Sequence, residues 1–125
     1  MIVEVSVGEV LDKLTILHLK KQYISDKDKL DNINKEYMIL CKVCEDLLHD
    51  NQVSELYSNL LEVNGLLWQI EDDLREMERL KKFDTDFIEL ARSVYITNDK
   101  RAEIKKQINI TTNSTLVEEK SYEQY

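Results

Sequence analysis

Arginine is scarce in this chain, and its placement is the first feature that suggests chemistry. Lysine outnumbers arginine 13 to 4. Arg75 follows Trp68, Glu71 and Asp72, while Arg92 and Arg101 flank Tyr95, Asn98 and Asp99. Guanidinium groups hold carboxylates and phosphates through paired donors, which an ammonium group cannot do. Trp68, Glu71, Arg75, Arg92, Tyr95, Asn98, Asp99 and Arg101 are therefore the candidate ligand-binding residues. In this reading the arginines grip an anion and Trp68 stacks on it. Glu71, Asp72 or Asp99 then serves as a base or a magnesium ligand. The competing reading is structural. Glu71 and Arg75 are ordinary i,i+4 neighbours on a charged helical face, and buried polar groups also set the register of bundles.

A second acidic feature is Asp72-Asp73-Leu74-Arg75-Glu76. It is similar to the string with which all-helical nucleotide pyrophosphatases hold Mg²⁺, which makes Asp72, Asp73 and Glu76 weak metal candidates and Mg²⁺ the one cofactor suggested. Those enzymes also need a matching Glu-x-x-Asp on the next helix. Here the nearest match, Asp86-Phe87-Ile88-Glu89, is reversed. A chorismate-mutase-like helical enzyme needs arginines on its first long helix, and that region carries only Lys13, Lys20 and Lys21. Cys41 and Cys44 have redox-motif spacing but lie inside a helical pattern rather than at a helix start. With only His18 and His49 to join them, they read as small core residues rather than a zinc site. His18 borders an apolar stripe and reads as a boundary residue. There is no glycine-rich phosphate loop and no nucleophile elbow.

Helices must position these groups. Val3, Val5 and Val7 alternate with polar residues, which predicts an extended lead-in or short strand over 1–7. Ser6-Val7-Gly8-Glu9 is a capping box, in which Ser6 accepts from the Glu9 amide and Glu9 reaches back. The first helix then runs to about Tyr23. Ser25-Asp26-Lys27-Asp28 starts the second, whose seam Leu30, Ile33, Tyr37, Leu40, Cys44 and Leu47 steps by three and four. The third spans about Val53 to Lys82 on the seam Val53, Leu56, Leu60, Val63, Leu67, Ile70, Leu74 and Met77. The seam stays in phase across Asn64-Gly65, which predicts an unbroken helix there. Asp84 or Thr85 caps the fourth helix, which ends near Ile110. On its inward stripe, Asn98 and Arg101 follow Val94. Residues 111–125 form a polar tail that docks or frays.

The expected fold is all-α: a single domain with a lead-in, an antiparallel bundle or long helical hairpin of three to four helices over 8–110, and the tail. Composition supports it. The chain has no proline and two glycines, 42% hydrophobic and 34% charged residues, and a net charge of −8. That excludes loop-rich, collagen-like and Pro/Gly-rich disordered classes and argues against a nucleic-acid binder. The basic run at Lys100, Arg101, Lys105 and Lys106 is interrupted by Asp99 and Glu103 and reads as a solvated face. No stretch has signal-peptide character or membrane-spanning length, so the expected location is the cytoplasm, with no membrane partner.

Several stretches together carry a resemblance. They are Val5-Ser6-Val7-Gly8-Glu9-Val10-Leu11-Asp12-Lys13-Leu14-Thr15-Ile16-Leu17, Trp68-Gln69-Ile70-Glu71-Asp72-Asp73-Leu74-Arg75, the run from Leu90 to Ala102, and Val117-Glu118-Glu119-Lys120-Ser121-Tyr122. The chain resembles a bacterial and phage family of short helical proteins known only as a domain of unknown function. That resemblance implies no activity and no catalytic residues. It does imply that Glu118–Tyr122 belongs to the fold and covers the arginine cluster.

Two functions follow as expectations. One is an interaction or accessory module that self-associates through its coiled-coil-like helix seams and binds a protein partner. The alternative is an anionic-ligand protein or enzyme, taking a phosphorylated sugar or nucleotide between the third and fourth helices with Mg²⁺ as a possible cofactor.

Overall fold

The computed structural model describes residues 1–125 as four helices: α1 (Val7–Tyr23), α2 (Lys27–Leu48), α3 (Asn51–Arg79) and α4 (Thr85–Thr111). There is no strand, and the lead-in is extended but unpaired. The helices begin where short polar side chains cap them. Ser6 accepts from the Glu9 amide, Asp26 from Lys29, Asp50 from Gln52 and Val53, and Asp84 from Phe87. Each such cap satisfies amides that the first helical turn leaves unpaired. Asp26, rather than Ser25, caps α2. The reciprocal half of the Ser6 capping box does not form, because the Glu9 carboxylate accepts from Lys105 Nζ at 3.0 Å instead.

Two helices end on residues in the left-handed region, Lys81 (φ 55°) and Asn113 (φ 54°). In both turns the next residue's amide reaches back five positions, Lys82 to Met77 and Ser114 to Asn109. Asparagine tolerates this conformation; glycine would suit the Lys81 position better.

The main core gathers Leu11 and Leu14 of α1, Cys44 of α2, Val53 and Leu60 of α3, and Ile108 of α4. α1 packs against all three other helices, whereas α2 and α4 do not touch. The apolar seams of α2 and α3 face inward, with Ile33, Cys44, Val53, Leu60 and Ile70 buried and the other seam positions half-buried. α3 is unbroken across Asn64-Gly65. The tight approach lies elsewhere: a Cβ on Gly8 would stand 2.6 Å from the Lys105 carbonyl oxygen and 3.0 Å from Asn109 Oδ1. Gly8 thus lets the start of α1 lie directly on the end of α4, where its amide donates to Asn109 Oδ1 at 2.7 Å.

The α3–α4 hairpin is long. α3 has 29 residues and α1 has 17, so α3 is roughly 18 Å longer at 1.5 Å per residue. Burial follows this difference. Between Ile70 and Thr97 no residue is buried, and the ion pairs of residues 71–89 all stay within the hairpin. The outer hairpin also leaves Leu80, Phe83 and Ile88 each more than half exposed.

Candidate functional site

The polar centre of the molecule forms where α1, α3 and α4 meet. Gly8, Asp12, Thr15 and Leu19 are spaced by four, three and four residues, so α1 carries a second inward stripe beside its leucines. Asp12 is 2% exposed and Thr15 is fully buried. α3 contributes Asn64, whose Nδ2 donates to Asp12 Oδ1 at 2.8 Å and to Thr15 Oγ1 at 2.7 Å. α4 contributes Arg101, whose Nε donates to Asp12 Oδ1 at 2.9 Å and whose Nη2 donates to Oδ2 at 2.6 Å. This fork-on-carboxylate geometry is the strong, directional form of the ion pair. The bond to Asp12 holds the Arg101 guanidinium above its ordinary pKa despite burial.

Lys105 lies one turn further along α4. Its nearly buried Nζ sits 3.0 Å from Glu9, 4.0 Å from Asp12 and 3.5 Å from Glu118. No buried side-chain nitrogen or oxygen lacks a partner. Burying charge is costly unless it is paired and fully hydrogen-bonded, and here it is both. Asp12 is closed from solvent by Arg101, and its oxygens already accept three hydrogen bonds. Its chemistry is therefore that of a fixed acceptor, not of an exposed base.

The residues singled out from sequence separate into three places. Tyr95, Asn98, Asp99 and Arg101 line one cleft of about 1140 Å³ between α4 and residues 118–125. Trp68 is elsewhere, stacked on Tyr23 with ring centroids 5.4 Å apart. Glu71 and Arg75 form an exposed pair at 3.5 Å, and Arg92 donates to the Tyr95 hydroxyl at 3.3 Å. Trp68, Glu71 and Arg75 line neither that cleft nor the Asp12 network. The reason is the phase of α4: Thr97 is the buried position after Val94, while Asn98 is exposed. Of the acidic string, Asp73 accepts from Gln69 at 2.9 Å and Glu76 pairs with Arg79 at 2.5 Å. No three acidic, histidine or cysteine side chains converge as a metal centre would need.

Cys44 belongs to the core, where burial pushes its thiol up to about 11. That is the opposite of an activated thiolate. Both histidines are exposed.

Sequence reasoning missed Asp12, Thr15 and Lys105. Asp12 and Thr15 carried a signal, being polar residues at helical spacing inside an otherwise apolar helix. Lys105 carried none, because it read as one of a solvated basic run.

Glu9 and Asp12 lie in the first stretch that carried the resemblance, and Arg101 in the third. Their pairing joins the two stretches, and Glu118 brings in the last. Residues 1–125 match the family described as "Family of unknown function (DUF6165)". The chain belongs to that family. It matches no curated protein and no solved structure. Family membership therefore assigns no chemistry to the Asp12–Arg101 centre or to the α4 cleft. No helix is long and apolar enough to cross a membrane.

Proposed function

We propose that the protein is a small interaction module that self-associates through the outer half of its α3–α4 hairpin. One observation carries this reading: no residue from 71 to 96 is fully buried, and Leu80, Phe83 and Ile88 face solvent. The seams of α2 and α3 are taken up inside the chain, while the outer hairpin keeps exposed apolar residues at its turn and on α4, as the outer face of α2 does at Met38, Ile39 and Val43. A two-helix hairpin covers only one face of each helix, and a second hairpin would cover the rest as a four-helix bundle does.

A second copy is the simplest partner for such a face. Two hairpins packed antiparallel about a two-fold axis bury the same patch on both chains, and that contact closes at two copies.

Light scattering across a concentration series tests the reading. The expected result is a dimer that becomes a monomer when Leu80→Glu and Ile88→Glu are combined, with helical content unchanged. A native protein that stays monomeric at every concentration overturns it. A small anionic ligand is less well supported, because Arg101 is already paired with Asp12 and Arg75 with Glu71, where an incoming anion would first have to displace a carboxylate. Arg92, which has no carboxylate partner, donates to the Tyr95 hydroxyl on an exposed face.

A further inference from the structure

Residues 114–125 lie along α4 without joining the core. Its one backbone-to-backbone hydrogen bond runs from the Ser114 amide to the Asn109 carbonyl, Ser114 Oγ accepts from the Val7 amide at 3.1 Å and donates to the Leu116 carbonyl at 2.7 Å, and every residue from Thr115 onward is exposed. Side chains do the holding. Glu118 meets Lys105 at 3.5 Å, Glu119 meets Lys106 at 3.5 Å, and the Tyr125 hydroxyl donates to Asp99 Oδ2 at 2.6 Å. The Tyr125 ring also packs edge-on against Tyr95, with centroids 5.2 Å apart. The bond to Asp99 raises the Tyr125 pKa, so the hydroxyl stays protonated as a donor.

The contacts are complementary pair by pair: Lys105 and Lys106 of α4 meet Glu118 and Glu119 of a segment that carries Glu118, Glu119 and Glu123 against Lys120. Exposed ion pairs of this kind each contribute about 0–1 kcal/mol, so the segment is held by contacts that can exchange one at a time. Its departure orphans no buried charge. Lys105 keeps Glu9 at 3.0 Å, and Arg101 keeps both bonds to Asp12. The α4 side of the cleft it lines is made by Val94, Tyr95, Ala102 and Lys106.

We propose that this α4 groove is a recognition surface for extended acidic, tyrosine-bearing segments of a partner protein. Residues 114–125 are its resident occupant in cis. A tethered segment competes at an effective concentration of roughly millimolar, so a partner segment engages only when it outbids the cis contacts or when these are weakened. The surface is separate from the outer hairpin, and the proposal does not rest on self-association.

The test titrates a fluorescent peptide with the sequence of residues 115–125 into the full-length protein. It is repeated with a Glu118→Lys/Glu119→Lys variant whose cis segment is repelled by Lys105 and Lys106. The peptide should bind the variant at least about tenfold more tightly than the native chain, as release of a tethered competitor predicts. Binding should weaken with salt. In a chain carrying Lys106→Glu alone, whose native segment is repelled, the native peptide should not bind and a peptide carrying Glu119→Lys should. Failure to bind either protein overturns the proposal, as does equal binding of a scrambled peptide. A fall in oligomer mass in the Glu118→Lys/Glu119→Lys variant would show that a second copy's segment fills the groove, and would overturn the assignment to a partner protein. Repeating the titration with Leu80→Glu and Ile88→Glu present should change nothing, which separates this surface from the hairpin.

Discussion

At its inner end the α3–α4 hairpin holds Asn64 and Arg101 on a buried carboxylate, with Leu60 and Ile108 fully enclosed beside them. At its outer end the same two helices carry only exposed ion pairs between near neighbours, and Leu80 and Ile88 face water. The inner end is a packed core fixed by charges that are costly to disturb. The outer end is an amphipathic hairpin that leaves Leu80, Phe83 and Ile88 uncovered. Helices of one kind thus serve two purposes, depending on whether α1 lies against them. Exposed pairs contribute little to stability and a buried, hydrogen-bonded pair is strongly destabilising to break. Substitutions should therefore separate the two ends sharply.

The largest separation is expected from charge. Asp12→Ala leaves Arg101 and Lys105 without their shared carboxylate and Asn64 without an acceptor. Loss of one partner from such a pair costs about 3–5 kcal/mol, readable as a lower urea midpoint. An exposed control, Glu71→Ala, should stay within about 0.5 kcal/mol of the native chain. If the two variants behave alike, the Asp12 centre does not anchor the fold.

Core packing gives a smaller contrast. Leu60→Ala should cost about 2–5 kcal/mol, as cavity-forming changes at enclosed sites do. Leu90→Ala, at a half-buried site in the outer hairpin, should cost under about 1 kcal/mol in the monomer. A dimer through the hairpin raises the second figure, so measuring Leu90→Ala at low and high protein concentration sharpens the comparison.

The smallest effect is expected at the α1–α4 contact. Gly8→Ala places a methyl group 2.6 Å from the Lys105 carbonyl. Overpacking of this kind costs about 1–3 kcal/mol, visible as a lower Tm. Gly65→Ala meets only Leu19 Cδ2, at 3.7 Å. It should be neutral or stabilising by up to about 1 kcal/mol, since alanine is the better helix former. A native-like Gly8→Ala variant would mean that α1 and α4 can part without loss.

Much of this architecture was legible in the residues. Ser6 and Asp84 mark helix starts because their side chains accept amide hydrogens that nothing else nearby can take, whereas Asp50 was not read as the cap it is. The three-and-four spacing from Val53 to Met77 carried α3 through Asn64-Gly65, because a helix-phased apolar face outweighs one unfavourable glycine. The candidate site was legible only in part. Arg101, Tyr95, Asn98 and Asp99 do share a cleft, but Trp68, Glu71 and Arg75 belong to other surfaces.

The sequence by itself determined, to within two or three residues, where each helix starts and stops, and which stripe of α2 and α3 turns inward. Those outcomes depend on neighbours within a turn or two along the chain. Only the tertiary structure decided that Arg101 meets Asp12, across 89 residues, and that Asn64 joins them across 52. It also decided that Glu9 leaves its own cap for Lys105. Periodicity fixes which way a side chain faces on its own helix but not the rotation or axial offset of the helix packed against it. Partners between helices are set by that offset, and here Gly8 sets it by letting α1 rest on α4.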